Sequence, residues 1–459
     1  MTALYSARWV LPIASPAIEN GAVAVEGETI VRVGTKADVV ARFPDALATD
    51  FGTSVLLPGL INAHSHLELT VMRGFLESEE TDFFAWLRKL TVARMAMTNE
   101  DFFISAACGA IEAARAGITC VGDSSSAAAQ SMKALREIGL RGIVYQESFG
   151  PDPRVADENV AKLRDQLVEM RAFESANVRA GVSPHAPYTV SAPQLELISR
   201  LALDEKLPLM MHAAESEAER LFVFEGTGPF AEGLRARGID WQAQKVSTIE
   251  HLARHGVLET RPLLAHCITV NDADIEMIHS AGAGVAHCPK SNAKLRHGRA
   301  PFAKFLAANL KVGLGSDSVA SNNNCDILEE ARLATLLARV RGTDFSLCRD
   351  SRAPQTEVCA TDALFAATLG GARALGLDNH IGSLAERMQA DLIAVALDGA
   401  HQQPTTNPVD ALIFSSSGRD VRMTMVAGKE VYRNDKIANA NELELQSQLL
   451  TTRQKLESV

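Results

Sequence analysis

The chain has 459 residues, and 45 Lys and Arg against 56 Asp and Glu give a formal net charge of −11. This length accommodates about three domains, or one large barrel with a small partner. Its 47% hydrophobic and 22% charged residues exclude a collagen, a coiled coil and wholesale disorder. The acidic balance argues against a nucleic-acid partner. No apolar run of about 18 residues predicts a membrane span, and the first residues do not match a secretory signal.

The cysteines are odd in number, form no CxxC pair and lie mostly in apolar runs. This pattern predicts reduced, buried thiols and therefore a cytoplasmic location. The seven residues are Cys108, Cys120, Cys267, Cys288, Cys325, Cys348 and Cys359.

Both ends of the chain have the composition of short strands. Residues 1–57 and 380–435 alternate apolar and polar residues, with turn signals such as Asn20-Gly21. Two strand-rich ends around a different middle predict one small β-sandwich domain built from both termini. Residues 436–459 are polar with spaced leucines, which predicts a C-terminal amphipathic helix.

The middle of the chain, residues 58–379, alternates short apolar runs with helical stretches. Eight such units predict the α/β class and a (β/α)8 TIM barrel. A doubly wound sheet is the alternative, but the GxGxxG that it favours after an early strand is absent from the sequence. The candidate strands are LLPGLINAH, ITCVGD, RGIVYQE, VRAGVSPH, LPLMMHAAE, PLLAHC, GAGVAHC and KVGLGSD.

Polar side chains end several of these strands, at the face where barrels build their sites. His64 and His66 close the first strand, and residues i and i+2 of a strand point the same way, so both rings can share one metal. His212, His266 and Asp317 close the fifth, sixth and eighth strands. Imidazoles with a carboxylate suit zinc or ferrous iron. We assign one divalent metal, zinc with iron as the alternative, to His64, His66, His212 and Asp317.

A further carboxylate follows the fifth strand. Glu215 lies three residues after His212, close enough to serve the metal site without binding the metal. Its expected role is general acid and base catalysis. The alternative is a solvated loop carboxylate, since Glu217 and Glu219 are its neighbours.

Seven segments, in this order, resemble the amidohydrolase superfamily. They are most similar to its deaminase and chlorohydrolase branch, which includes methylthioadenosine/S-adenosylhomocysteine deaminases and aminodeoxyfutalosine deaminases. The segments are LLPGLINAHSHLE, SPHAPYTVS, MHAAES, LAHC, HCPKSN, LGSDSVASNNN and GSLAERMQADLIAV.

The resemblance implies a barrel with a small β-sandwich and the same four ligands for one metal. It implies that His266 and Asp317 activate water, that Glu215 transfers protons, and that His185 contacts substrate. Binuclear members carry a lysine at the end of barrel strand four, where this chain reads VSPHAPY, so we expect a single metal.

The resemblance also bears on the substrate. Methylthioadenosine deaminases carry a glutamate just before the tryptophan of the element that here reads Phe83-Phe84-Ala85-Trp86-Leu87. Glu68 offers a replacement carboxylate, in a pattern similar to aminodeoxyfutalosine deaminases. We therefore expect hydrolytic deamination of an aminopurine nucleoside, of the aminodeoxyfutalosine type first and of the adenosine, methylthioadenosine or S-adenosylhomocysteine type next. The alternatives are a free base such as guanine, a substituted s-triazine losing chloride or an amine, or an inactive barrel that serves assembly.

Other candidate substrate contacts rest on weaker signals. Trp86 can stack on a base, and Ser291 and Asn292 follow the seventh strand; core packing and a turn are the alternatives. The HxxxH pair His251 and His255 is assigned to a solvated helix face. His279, His297, His380 and His401 show no pattern and receive no role. We expect a homodimer acting on a small molecule, without a nucleic-acid or membrane partner.

Overall fold

The structure is a computed structural model that describes residues 2–340 and 357–458. Cys348 lies outside these described residues. The six described cysteines form no disulfide; Cys359 is exposed, Cys108 is partly buried and the others are buried. Within the described residues, no helix is long and apolar enough to cross a membrane.

The amino-terminal segment forms strands of a mixed sheet. The first strand pairs antiparallel with the second and parallel with the fourth and fifth. The turn between the second and third strands places Gly27 at φ +57°, a left-handed conformation that glycine adopts without strain. The elements are β1 (Thr2–Val10), β2 (Ile18–Glu26), β3 (Thr29–Thr35), α1 (Lys36–Arg42), β4 (Leu47–Asp50) and β5 (Ser54–Pro58).

Eight parallel strands then form the barrel. They hydrogen-bond as two four-stranded sheets, one of the first four strands and one of the last four. Parallel bridges from Val182 to Leu209 and from Ser65 to Asp317 close the ring, so the predicted (β/α)8 barrel is confirmed. The strands are β6 (Leu60–Ser65), β7 (Ile118–Ser125), β8 (Arg141–Ser148), β9 (Val178–Pro184), β10 (Met210–Ala213), β11 (Leu263–His266), β12 (Gly284–His287) and β13 (Lys311–Leu314).

Helices connect the barrel strands. Thr98 and Asp101 form a reciprocal capping box at the start of the longest of them, which packs an alanine-rich face on the barrel. The α-helices are α2 (Phe83–Met95), α3 (Asn99–Arg115), α4 (Ala128–Ile138), α5 (Ala156–Arg171), α6 (Ala192–Glu205), α7 (Glu217–Arg220), α8 (Pro229–Ala236), α9 (Thr248–Arg254), α10 (Asp272–Ala281), α11 (Pro289–Lys294), α12 (Phe302–Ala307), α13 (Val319–Asn322), α14 (Ile327–Arg339), α15 (Ala360–Phe365) and α16 (Gly371–Ala374).

Short 3-10 or π turns complete these connections. They are Leu67–Met72, Glu77–Glu79, Pro153–Val155, Leu221–Glu225, Leu258–Thr260, Ala366–Gly370 and, near the carboxyl end, Gly418–Asp420.

The carboxyl-terminal segment returns to the first sheet. Leu392 pairs with Pro58, and this antiparallel ladder joins the two ends of the chain into one nine-stranded sheet, here called the terminal sheet. The last helix begins at Glu442, later than the predicted range of 436–459, because residues 436–437 form a strand. The elements are β14 (Leu392–Ala396), α17 (Pro408–Phe414), β15 (Val421–Val426), β16 (Lys429–Arg433), β17 (Lys436–Ile437) and α18 (Glu442–Glu457).

The terminal sheet has its own apolar core and is pinned to the barrel. Val10 and Val25 from the first half pack with Leu392 from the second. At the junction, Arg141 of β8 forms a bidentate ion pair with Asp391, at 2.9 and 3.1 Å, and both side chains are buried. The sheet therefore supports the barrel from outside, while the carboxyl ends of the barrel strands remain available for a site.

Candidate metal centre and active site

Four predicted ligands converge at the carboxyl ends of the barrel strands. His64 and His66 come from the end of β6, His212 from β10, and Asp317 follows β13. One potential ligand atom from each residue lies within 4.8 Å of the others. Because parallel strands end at the same face of a barrel, residues 253 positions apart meet there.

The spacing of these atoms fits a four-coordinate metal. Nε2 of His66 lies 3.3 Å from Nε2 of His212 and 3.5 Å from Oδ1 of Asp317, and Nε2 of His64 lies 3.3 Å from the same oxygen. Ligands bound tetrahedrally to zinc at about 2.0–2.1 Å lie about 3.3–3.4 Å apart. Neither buried ring nitrogen of His64 has a hydrogen-bond partner among the described residues. The four side chains therefore fit a divalent metal.

The protonation states of the ligands suit metal binding. Burial lowers the pKa of His212 to about 4 and holds the pKa of His66 well below its usual value, so both rings stay neutral near pH 7. Burial alone would raise the pKa of Asp317, but the neighbouring His64 and His266 hold it well below its usual value. Neutral imidazoles and an ionised carboxylate are the forms that bind metals.

Neighbouring groups orient two of the ligands. Nδ1–H of His212 donates to the carbonyl oxygen of His185 at 2.9 Å, which leaves Nε2 free to bind. The hydroxyls of Ser291 and Ser321 donate to Oδ2 of Asp317 at 2.5 and 2.9 Å, so Oδ1 faces the histidines. The lone pairs that a metal needs are thereby directed at one point.

Glu215 lies beside this centre, on the turn after β10. Its Oε1 is 3.7 Å from Nε2 of His266 and 3.4 Å from Nδ1 of His297. Burial would raise the pKa of Glu215, yet its interactions with His266 and His297 hold it well below its usual value, so the carboxylate can accept a proton. Nδ1–H of His266 donates to Oδ1 of Asn292 at 2.8 Å, which directs Nε2 of His266 toward Glu215.

The alternative of a solvated loop carboxylate is wrong for Glu215, whose side chain is buried, and a neighbouring carboxylate is buried with it. The Glu219 side chain is fully buried, and it accepts backbone N–H bonds from Ala214 at 2.6 Å and Glu215 at 3.1 Å. This carboxylate therefore holds the turn, where Ala214 adopts a left-handed φ of +52°. Glu217 is exposed, as expected for a loop carboxylate.

The structure corrects the placement of Glu68. This residue is fully buried, and its carboxylate accepts hydrogen bonds from the backbone N–H of Ser126 at 3.0 Å and of Ala127 at 2.8 Å and from the hydroxyls of Ser125 and Ser126. It thus caps the amino terminus of α4, where a negative charge is favoured. With its acceptors occupied, Glu68 is not available to hold substrate.

Three other side chains that the sequence predicts to contact substrate have protein groups as neighbours. Trp86 is buried in an apolar cluster and stacks on Phe83 at 5.9 Å, so it packs as core. Ser291 and Asn292 are also buried, and they hold Asp317 and His266 as described above. Trp86 and Ser291 are committed to protein partners, so these two predictions of direct substrate contact are corrected. The buried Nδ2 of Asn292 has no hydrogen-bond partner among the described residues, and its contact with substrate stays a prediction.

His185 does lie in the site. Its ring is 4.7 Å from the ring of His212 and 4.6 Å from that of Phe149. Nδ1 bonds Thr189 at 2.9 Å, and Nε2 lies 3.9 Å from a carboxylate oxygen of Glu147. His185 therefore occupies a position from which it can contact a molecule bound above the metal ligands.

Sequence reasoning missed two polar groups at this face. Glu147 is the penultimate residue of β8 and lies between His66, 3.8 Å away, and Arg94 of α2, 3.3 Å away. Burial raises its pKa to about 7. The rule that singled out the other strand ends applies equally to Glu147. His297 carries no such signal, because it follows α11 rather than a strand.

The prediction of a solvated helix face for the HxxxH pair is wrong for His251. His251 is 1% exposed and packs edge-on against Trp241, with ring centroids 5.8 Å apart. His255 bonds Glu196 at 2.9 Å. Neither residue belongs to the group at the strand ends.

Most of the chain matches the model of a known protein family. Residues 55–431 match the model of the amidohydrolase family. The chain belongs to the amidohydrolase family. It is a hydrolase of the class that acts on carbon–nitrogen bonds. Residues 21–46 of this amidohydrolase also match an imidazolonepropionase-like composite domain of bacteria.

Curated relatives match this amidohydrolase along most of its length. A 5-methylthioadenosine/S-adenosylhomocysteine deaminase of Syntrophobacter fumaroxidans is 31% identical, over 92% of this chain and 90% of that protein. A protein of the same name from Moorella thermoacetica is 30% identical, over 96% of both chains.

Solved structures share the fold. An adenosine deaminase from Xanthomonas campestris with bound zinc has a TM-score of 0.86 and 28% identity, covering 100% of this chain and 99% of that one. An atrazine chlorohydrolase from Arthrobacter aurescens complexed with zinc has a TM-score of 0.82 at 21% identity, covering 98% of this chain and 100% of that one. The second likeness concerns the fold alone.

Proposed function

We propose that this amidohydrolase is a zinc-dependent deaminase. It removes the amino group of an aminopurine nucleoside by hydrolysis and releases ammonia. The observation that carries the proposal is the ionised, buried carboxylate of Glu215 beside four side chains that fit a divalent metal. The names of the curated relatives and of the zinc-containing adenosine deaminase support the same reaction class.

In this proposal His64, His66, His212 and Asp317 hold the metal. When bound, such a metal lowers the pKa of water to about 7 and so supplies a nucleophile near neutral pH. The carboxylate of Asp317, held in place by Ser291, would accept one of the two protons that the attacking water loses.

Glu215 carries the proton that reaches the ring nitrogen. Ionised at the start, it accepts one of the two protons that the attacking water loses and delivers it to the ring nitrogen next to the carbon that bears the amino group. The other water proton, taken by Asp317, passes to the amino nitrogen, so that ammonia leaves and both carboxylates are regenerated. A chloride leaving group needs no such proton, so an ionisable carboxylate at this place favours deamination over dechlorination. His266, held by Asn292, turns Nε2 toward the site and orients the attacking water.

The substrate order expected from the sequence is revised in this proposal. The preference for an aminodeoxyfutalosine-type nucleoside relied on Glu68, whose carboxylate caps α4. The named relatives favour adenosine, methylthioadenosine or S-adenosylhomocysteine. A small-molecule substrate belongs to the proposal, while the homodimer remains a prediction.

An ammonia-release assay of the zinc-loaded enzyme tests the reaction class. The panel contains adenosine, methylthioadenosine, S-adenosylhomocysteine, aminodeoxyfutalosine and guanine, with chloride release measured from a chloro-s-triazine. We expect ammonia from at least one nucleoside. Activity confined to guanine or the triazine would overturn the proposal in favour of those alternatives.

The Glu215→Gln variant tests the assigned role. We expect kcat to fall by about 10²- to 10⁴-fold, the usual contribution of a general acid or base, with the zinc content unchanged. Glu217→Gln is the matched control, because Glu217 lies on α7 just beyond the same turn with an exposed side chain. Near-normal turnover in Glu215→Gln would contradict the assignment.

A further inference from the structure

One turn of the chain, residues 292–297, positions both histidines that approach Glu215. Asn292 lies in α11 and accepts a hydrogen bond from His266, and the backbone N–H of His297 donates to the carbonyl oxygen of Asn292 at 2.9 Å. Arg296 adopts a left-handed φ of +60° just before His297. The same turn therefore sets the position of His266 and of His297, which approach the same oxygen of Glu215.

His297 is buried at this place. Its side chain is 6% exposed, and the edge of the ring meets Phe83 of α2 with centroids 4.6 Å apart. Phe83 also stacks on Trp86, which fixes the aromatic side of this contact. The imidazole of His297 is thus confined between the apolar cluster around Trp86 and the carboxylate of Glu215.

Within the part of the chain that the structure describes, the ring of His297 has no polar neighbour placed to bond it other than this carboxylate. Among the described residues, neither ring nitrogen meets the geometry of a hydrogen bond, although Nδ1 lies 3.4 Å from Oε1 of Glu215. Burying a polar group without a partner costs free energy. Hydrogen bonds between catalytic groups often shorten only when substrate is bound. The carboxylate of Glu215 is therefore the hydrogen-bond acceptor within reach of this buried imidazole.

We propose that His297 is a positioning residue for Glu215, with Nδ1–H donating to Oε1 and holding the carboxylate turned toward the metal ligands. The inference rests on the proposed function, in which Glu215 transfers protons. His297 keeps its own proton throughout, so the proton count of the reaction is unchanged. Its contribution is orientation, and its loss is expected to affect turnover more than substrate affinity.

Two amide variants separate the two ring nitrogens. The side-chain nitrogen of asparagine comes close to the place of Nδ1, and that of glutamine close to the place of Nε2, so His297→Asn retains the proposed donor and His297→Gln does not. Zinc content and thermal midpoint are measured for both variants and for His297→Ala.

The expected result is a division between the variants. We expect His297→Asn to keep kcat within about threefold, and His297→Gln and His297→Ala to lose about 10- to 100-fold, the usual cost of losing an orienting partner. KM is expected to change by less than about twofold. An equal kcat in all three variants would overturn the proposal. Equal losses of kcat that follow the loss of zinc would also overturn it, as would a rise in KM at constant kcat.

A measurement without turnover separates this inference from the proposed function. In zinc-loaded protein labelled with ¹⁵N-histidine, His297 is assigned by the signal that His297→Asn removes. We expect its proton on Nδ1 and a shift of that signal in Glu215→Ala. A proton on Nε2 alone, or a signal that ignores Glu215→Ala, would overturn the positioning role whether or not any nucleoside is deaminated. Absence of ammonia release with the expected signals would instead count against the proposed function.

Discussion

The face of the barrel at the carboxyl ends of its strands, here called the mouth, differs from the terminal sheet in the kind of side chain that it buries. The mouth buries titratable groups and bends the backbone into left-handed conformations at His266 (φ +71°) and Asp317 (φ +57°). The terminal sheet also has non-glycine residues in left-handed conformations, such as Asn20 and Ala427, but it buries apolar side chains such as Val10, Leu56 and Leu392 from both chain ends. Burial of polar and ionisable groups costs free energy unless they are paired, whereas apolar burial stabilises.

The protein therefore gains stability in the terminal sheet and holds its reactive groups at the mouth of the barrel. At the mouth, ring nitrogens of His64, His266 and His297 are buried without hydrogen-bond partners among the described residues. Such groups are costly to the fold and are typical of functional sites. Changes at the sheet are therefore expected to alter stability with little effect on the site, and changes at the mouth to do the reverse.

The largest expected effect on stability lies at the junction of the two regions. Asp391→Ala leaves the buried guanidinium of Arg141 unpaired and removes an acceptor for the backbone N–H of Ala427 at 2.8 Å. Removing one partner of a buried ion pair costs about 3–5 kcal/mol. We expect a clearly lower thermal midpoint, with kcat and zinc content of the folded enzyme unchanged.

A surface pair is the control for the junction. Asp398 and Arg422 lie 3.9 Å apart, and both side chains are at least half exposed, so Asp398→Ala is expected to cost less than about 1 kcal/mol. If Asp391→Ala prevents folding, Asp391→Asn retains acceptor capacity and is measured instead. Equal midpoints for the Asp391 and Asp398 variants, or zinc loss in the folded Asp391 variant, would remove the distinction between the regions.

His251 extends the comparison to a buried histidine outside the mouth. Burial lowers its pKa to about 4, whereas an unfolded histidine titrates near about 6.5. Between these values the unfolded chain binds more protons, so stability falls as the pH decreases, by up to about 3 kcal/mol. His251→Phe is expected to show a smaller drop in thermal midpoint between pH 7 and pH 4.5 than the parent.

The exposed His401 provides the control for this pH effect. Its side chain is 54% exposed, so His401→Gln is expected to follow the parent protein across the same pH range. A His251→Phe variant with the full acid-induced drop would show that this buried ring does not couple stability to pH.

A smaller effect is expected within the mouth itself. Ser291→Ala removes the hydroxyl that donates to Oδ2 of Asp317 at 2.5 Å. Losing such a partner typically costs about 10- to 100-fold in metal affinity or activity. We expect weaker zinc binding by chelator competition, with the thermal midpoint of the zinc-loaded protein nearly unchanged. Ser280→Ala, which removes an exposed hydroxyl bonded to Glu276, is the control and is expected to bind zinc normally.

Much of the architecture follows from local sequence. The period of the apolar runs predicts the eight barrel strands, and parallel strands of a barrel end at one face. For this reason the sequence predicts His64, His212 and Asp317 as neighbours although they are far apart in the chain, and the structure brings them together. Strand alternation likewise predicts that His64 and His66 serve one point.

The partners of individual side chains were decided by tertiary structure. Glu68 follows a metal ligand in sequence, yet its carboxylate is directed at the start of α4, a helix that begins 60 residues later. Tryptophan is a residue type that can stack on a base, yet Trp86 is buried in an apolar cluster and packs as part of the core. His297 shows no local pattern and reaches Glu215 because α11 and the turn after β10 lie at the same face.

The sequence by itself therefore determined the fold class, the strand ends and the set of candidate metal ligands. These depend on short-range periodicity and on the common direction of barrel strands. Tertiary structure decided which polar groups orient the ligands, which cap helices and which remain free to act. That choice depends on distances between segments far apart in the chain, and no local pattern encodes them.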